Sequence, residues 1–274
     1  SWLAHAALLA GIDTREPIVH DLLLGTARPT LVGHFARHGW RTVGWMPGLQ
    51  KPWPVGRFYG FDRLADAATV GYRGPDFGYW RIPDQAALAL LQQQELGPGP
   101  RAPRFVIFPS LNSHAPFRPL PPYQPAWPRL LGTDAYDAGA HAAALAAPVD
   151  WLAPTAAYVD AVGYLLDSVA GYLRGPAPPG LLLIVVGDHQ PLARVSGPQA
   201  SWDVPIHVIS SDAALLRRFE ALGFAPGLEP RGAALGAMHE LTGLLLRGFD
   251  GRGSGRTTRP DEARVDVPRG RLGP

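Results

Sequence analysis

The sequence predicts an α/β fold with a mostly parallel central sheet and helices on both faces. Three observations predict it. Short apolar runs rich in β-branched residues alternate with segments of helical period. Those runs are apolar along their whole length, as strands covered on both faces are. And 32 Gly and 30 Pro among 274 residues supply more loop punctuation than a helical bundle needs.

The strands are predicted at Arg41 to Met46 (RTVGWM), Arg104 to Pro109 (RFVIFP), Leu181 to Val186 (LLLIVV) and Pro205 to Ile209 (PIHVI), each a brief apolar stretch bounded by turn residues. Helices are predicted over Trp2 to Ala10, Thr30 to His38, Asp84 to Gln94, Thr155 to Arg174, Ala213 to Leu222 and Ala233 to Arg247. Two connections, Pro47 to Pro83 and Ala115 to Ala153, are longer than ordinary loops and rich in Pro and aromatic residues, so they are expected to wall a pocket. Residues 1–250 read as one catalytic domain. Residues 251–274 carry six Arg against three acids among many Gly and Pro and read as a disordered tail.

Composition narrows the function. The net charge is +2, from 25 basic and 23 acidic residues, and no basic stripe interleaves with aromatics, so nucleic acid is not an expected partner. The absence of Cys excludes disulfides, zinc–thiolate sites and a cysteine nucleophile. No apolar run approaches the roughly 20 residues that span a bilayer, so a membrane anchor would have to lie outside this chain. The sequence opens on a helix, with no initiator Met and no strand before it, and reads as an N-terminally incomplete fragment.

Three segments carry chemistry. Gly187-Asp188-His189-Gln190-Pro191 follows a buried strand, where a carboxylate oxygen and an imidazole nitrogen can converge on Zn²⁺ or Mn²⁺; an Asp capping the next turn beside a surface His is the alternative. Asn112-Ser113-His114-Ala115-Pro116-Phe117 repeats the arrangement after another strand, presenting an imidazole that can hold an anionic oxygen or move a proton; a satisfied loop histidine is the alternative. Ser1 opens the helix SWLAHAALLAG, where free N–H groups and the dipole favour an alkoxide or a phosphate; a plain N-cap is the alternative.

Taken together and in order, these segments resemble the catalytic domain of the sulfatase-like branch of the alkaline phosphatase superfamily, which includes lipoteichoic acid synthases and phosphoethanolamine transferases. SWLAHAALLAG is similar to the sulfatase nucleophile signature, GDHQP to the family's metal segment and SHAPF to the segment whose His contacts the transferred group. HFARHGWRTVGWMPG, FYGFDR and YVDAVGYLLDSVAGYL resemble intervening family segments, so the likeness runs from Ser1 to about Arg247. It implies an alkaline phosphatase-like fold lacking its first strand. It also implies one divalent metal ion (Zn, Mn, Mg or Ca) held by Asp188, His189 and Ser1, with Ser1 as nucleophile and His114 acting on the transferred group.

The same resemblance places His5 near the nucleophile, and Trp53 and Arg57 where lipoteichoic acid synthases hold a head group. Leu3 and His5 replace the Pro and Arg of the sulfatase signature, which favours a plain serine alkoxide and phosphoryl chemistry over sulfate-ester hydrolysis. The implied parent is a bacterial, membrane-anchored, extracytoplasmic enzyme. Its substrate would be a small molecule, a lipid head group or an envelope glycan. An acidic ligand from a preceding strand is expected and lacking here, so the chain alone is expected to hold metal weakly and to be inactive. A sulfatase, and a pseudoenzyme that keeps the fold as a binding module, are the alternative functions. Trp80 and Arg81 in YWRIPDQ share with Trp53 and Arg57 the alternatives of head-group contact or loop packing, and His239 and Glu240 are assigned to packing or a helix-surface position.

Overall fold

A computed structural model describes residues 2–250. Ser1 and the Arg-rich segment 251–274 lie outside the described residues. The elements in chain order begin with α1 (Trp2–Ala10), α2 (Pro17–Leu24), α3 (Leu31–Arg37), β1 (Arg41–Trp45) and β2 (Arg63–Ala65). They continue with α4 (Asp84–Leu91), β3 (Arg104–Ile107), α5 (Ala138–Ala146), α6 (Thr155–Arg174) and β4 (Leu182–Val186). The last are α7 (Ala193–Ser196), β5 (Ile206–Ser210), α8 (Ala213–Glu220) and α9 (Met238–Asp250).

The α/β class holds: β2, β1 and β3 form a parallel sheet in that order, with Val43 opposite both Arg63 and Val106. The sheet does not extend to the later strands as a single parallel ladder. β4 pairs antiparallel with β5, Ile184 opposite Val208, and among the described residues β3 and β4 each keep one edge without a strand partner.

Helices cover both faces because the strand side chains alternate. Phe105 and Ile107 of β3 join Leu182, Ile184, Ile206 and Val208 against a core built by α1, α3, α8 and α9. Val106 faces the other way, with Val43 and Trp45 of β1, onto Leu90 and Leu91 of α4. Trp45 is fully buried, and its indole N–H donates to the Ala87 carbonyl at 3.0 Å.

Local chemistry explains where the elements depart from expectation. α9 starts at Met238 rather than Ala233: Gly236 sits at φ 149°, and the Glu240 carboxylate accepts the Ala237 N–H at 2.7 Å, capping the helix there. α4 runs on into a π-helical turn, Gln92–Leu96. α5, unpredicted, is an alanine-rich helix capped by Asp137 with no buried residue, so it carries no apolar stripe for a periodicity argument to find. β2 is only three residues long.

Glu95, on the π-helical turn and 3% exposed, closes the N-terminal edge of the parallel sheet. Its carboxylate accepts from the first residue of all three strands: Arg41 at 3.1 Å, Arg63 at 2.9 Å and Arg104 at 3.1 Å. Burial pushes the Glu95 carboxyl up, but the hydrogen bonds from Arg41 and Arg63 outweigh it and hold the group below its ordinary value. A carboxyl lowered on folding contributes stability above its unfolded pKa that is lost as pH falls through the folded one. Glu95→Gln should therefore lower unfolding free energy at neutral pH by roughly 3 kcal/mol. In urea titrations across pH, the gap between wild type and variant should close below the ordinary carboxyl value of 4.5; a pH-independent gap would contradict the assignment.

Candidate active site

Asp188 and His189 stand immediately after β4. Gly187 lies close against the segment entering β5: a Cβ there would lie a tight 3.0 Å from Val204 Cβ, and the Gly187 N–H donates to the Pro205 carbonyl at 3.0 Å. The His189 ring nitrogen Nδ1 lies 2.7 Å from the Gln190 carbonyl oxygen. A carbonyl can only accept, so Nδ1 carries the proton, and in the neutral ring Nε2 keeps its lone pair for a ligand. That Nε2 is 3.5 Å from Asp188 Oδ2.

α1 brings a third group to the pair. Ala6, Leu9 and Ala10 bury one face of this helix, the Thr242 hydroxyl of α9 donates to the Leu8 carbonyl, and the Thr14 hydroxyl donates to the Leu3 carbonyl at 2.6 Å. So anchored, the first turn of α1 places His5 Nε2 3.9 Å from Asp188 Oδ2, beyond hydrogen-bond reach but within ion-pair range. Burial pushes the His5 imidazole below its ordinary pKa, and the Asp188 charge opposes that shift.

Asp188 and His189 line a cleft of about 1240 Å³ together with Leu3, Ala4 and Val204, and His5 stands behind them beside Asp188. Its walls come from residues 202–209 and 223–239, not from the Pro-rich connections expected to supply them. Those connections fold onto α4 instead. Gln85 and Gln124 exchange buried hydrogen bonds of 2.7 and 2.9 Å, and Phe77, Leu130 and Tyr136 pack beneath.

His114 belongs to a second group, after β3. Its N–H donates to the Leu111 carbonyl at 2.9 Å, and its own carbonyl accepts the Phe117 N–H at 3.0 Å. As in His189, Nδ1 lies 2.7 Å from the next residue's carbonyl, that of Ala115, so Nδ1–H donates. Nε2 accepts a proton while the ring is neutral; holding an anionic oxygen requires the imidazolium, with both nitrogens donating. The indole of Trp80 meets the ring edge-on at 4.9 Å.

Trp53 and Arg57 join neither group. Trp53 packs against Tyr59 and lies over Gly56, where an added Cβ would be 2.5 Å from its ring; Arg57 is exposed on the turn Pro54–Tyr59. Ser1, the expected nucleophile, lies outside the described residues. As for a metal, Asp188 and His189 offer a carboxylate oxygen and an imidazole nitrogen of suitable chemistry. Among the described residues, however, no group of three or more His, Asp or Glu side chains is arranged to enclose an ion.

No protein-family model and no curated protein matches the chain. Among solved structures it is similar to the crystal structure of the lipoteichoic acid synthase LtaP from Listeria monocytogenes, with 13% identity and a TM-score of 0.42 over 76% of this chain. The match spans about half, 52%, of that chain.

The His5–Asp188 proximity has a measurable sign. In metal-free protein, the His5 imidazole should titrate below its ordinary value of 6.5, and Asp188→Asn should lower it further by removing the opposing charge. Long-range ¹H–¹⁵N spectra of the rings read both effects; a rise on removing the carboxylate charge would contradict the geometry.

Proposed function

We propose that the natural protein containing this chain is a metal-dependent phosphoester hydrolase or phosphoryl-group transferase with Ser1 as nucleophile. The observation that carries this reading is the convergence of His5, four residues after Ser1, on Asp188 and His189 at the end of β4. A helix N-terminus beside a carboxylate–imidazole pair is a place where a hydroxyl can be activated and a phosphoryl dianion held.

Asp188, through a carboxylate oxygen, and His189, through Nε2, would hold the ion. When bound, a divalent metal lowers the pKa of a hydroxyl and neutralises phosphoryl oxygens. The chain's own residues do the rest. Ser1 Oγ attacks phosphorus, its bond to phosphorus forming as the bond to the leaving alkoxide breaks. The His114 imidazolium donates to a non-bridging oxygen or gives its proton to the leaving group. Water or an acceptor alcohol then attacks the phosphorus, its proton passing to the now neutral His114 as the bond from phosphorus to Ser1 Oγ breaks and the serine alkoxide is restored.

The substrate class in this reading is a lipid head group or envelope glycan, and the setting is the outer face of a bacterial membrane. No described helix is long and apolar enough to cross a bilayer, so an anchor would come from polypeptide beyond these residues. The plain serine favours phosphate over sulfate esters.

The test uses the natural protein with bis(4-nitrophenyl) phosphate. Asp188→Ala should abolish both metal occupancy, measured by inductively coupled plasma mass spectrometry, and turnover. Ser1→Ala should keep the metal and remove the phosphoserine peptide trapped by acid quench. His114→Ala should lower kcat by roughly 10² to 10⁴-fold. Normal turnover and metal content in Asp188→Ala would overturn the reading, and a formylglycine at Ser1 would transfer the protein to the sulfatases.

A further inference from the structure

The most deeply buried acid in the described chain has no part in the site so far. Asp84 is the first residue of α4 and wholly buried. Its carboxylate reaches under the loop after β3. One oxygen, Oδ1, accepts the Leu111 N–H at 2.8 Å and the other, Oδ2, accepts the Asn112 N–H at 2.8 Å. Asn112 answers: its side-chain oxygen accepts the Asp84 N–H at 2.7 Å.

Burying a carboxylate is costly, and among the described residues no cationic side chain offsets the cost at Asp84. Capping α4 would not require it, since a Ser or Asn does that at an exposed helix start. What a carboxylate alone supplies is two acceptor oxygens for two consecutive backbone N–H groups. These hold residues 111 and 112, whose turn leads directly to His114.

The far end of the same loop is also fixed. Phe117 is 4% exposed at φ 64°, a conformation rare outside Gly, and its ring meets Tyr158 of α6 edge-on at 5.4 Å. His114 is therefore presented between two buried anchors, with its imidazole oriented by Nδ1–H to the Ala115 carbonyl and by Trp80.

We propose that Asp84 is the positioning residue for His114, its buried carboxylate clamping the Leu111 and Asn112 amides so that the imidazole is presented in one place. This deepens the phosphoryl-transfer reading and rests on it for its catalytic consequence. Burial raises the Asp84 carboxyl to about 6, against the two amide hydrogen bonds that lower it. The other titratable groups facing it are the Tyr136 and Tyr164 hydroxyls, both pushed well above the ordinary phenol range by burial and so neutral throughout. Protonation of Asp84 would replace one accepting lone pair with a donor and loosen the clamp.

Two measurements on the natural protein separate this proposal from the reading it rests on. In ¹H–¹⁵N spectra, the Leu111 and Asn112 amides should titrate together, with a midpoint above the ordinary carboxyl value of 3.8, and Asp84→Asn should remove that titration; amides that show no common titration, or one that survives Asp84→Asn, overturn the clamp. With bis(4-nitrophenyl) phosphate, Asp84→Asn should lower kcat at least tenfold with KM little changed, and should lower it no further in a His114→Ala background. Asn112→Ala, which breaks only the reciprocal bond, should lower kcat less and show the same dependence on His114, which keeps the test decidable if Asp84→Asn does not fold. Losses that multiply with His114→Ala, or no loss in either variant while His114→Ala loses turnover, overturn the positioning role. If His114→Ala itself leaves kcat unchanged, the catalytic reading of His114 fails and takes this role with it, while the amide titration still reads the clamp.

Discussion

The packing of α1 into the apolar layer formed by α3, α9 and the β4–β5 pair is the constraint on which the site depends. Ala6, Leu9 and Ala10 are 3% exposed or less, and burying such a face contributes in proportion to the apolar area removed from water. The helix can seat that stripe in one rotational setting only, because residues on a helix face are fixed by its 3.6-residue period. His5 then has to point at the end of β4. The carboxylate and the His5 imidazole are neighbours because of hydrophobic packing; their 3.9 Å separation is too long for a hydrogen bond to hold them together.

The two ends of the parallel sheet are treated differently. At the N-terminal edge, Glu95 gathers the first residues of three strands into one buried ion cluster, which pins the strand starts in register. At the carboxyl edge, β3 gives way to a loop held from below by Asp84. β4, in its own ladder, gives way to the Gly187 turn. Both loops then present a histidine whose Nδ1–H is spent on the next residue's carbonyl, so that in the neutral ring Nε2 is the acceptor nitrogen. In open α/β sheets ligands gather beyond the carboxyl ends of the strands, and the polar side chains here are distributed accordingly.

Much of this was legible in the sequence, and the boundary follows from range. α6 spans the predicted Thr155–Arg174 without adjustment, because its apolar stripe runs for five turns and periodicity is a local property. The strand ends that carry Asp188, His189 and His114 were visible for the same reason. Interactions between distant segments were not. Arg41 and Arg63 lie 54 and 32 residues from Glu95, and nothing in either neighbourhood signals the pairing. Asp84 was hidden more thoroughly: a Pro–Asp pair opening a helix is ordinary at a surface, and only the loop 28 residues away makes it a buried clamp. Trp53 was placed by its position in a family segment, whereas its ring is occupied by Tyr59 and Gly56.

The most direct measurement of the central claim is anomalous diffraction from crystals of the natural protein grown with Zn²⁺. If Asp188 and His189 hold the ion, an anomalous peak is expected about 2.0–2.2 Å from both His189 Nε2 and a carboxylate oxygen of Asp188, with the Ser1 hydroxyl beside it. A fully occupied peak elsewhere, or none at saturating metal, would contradict it.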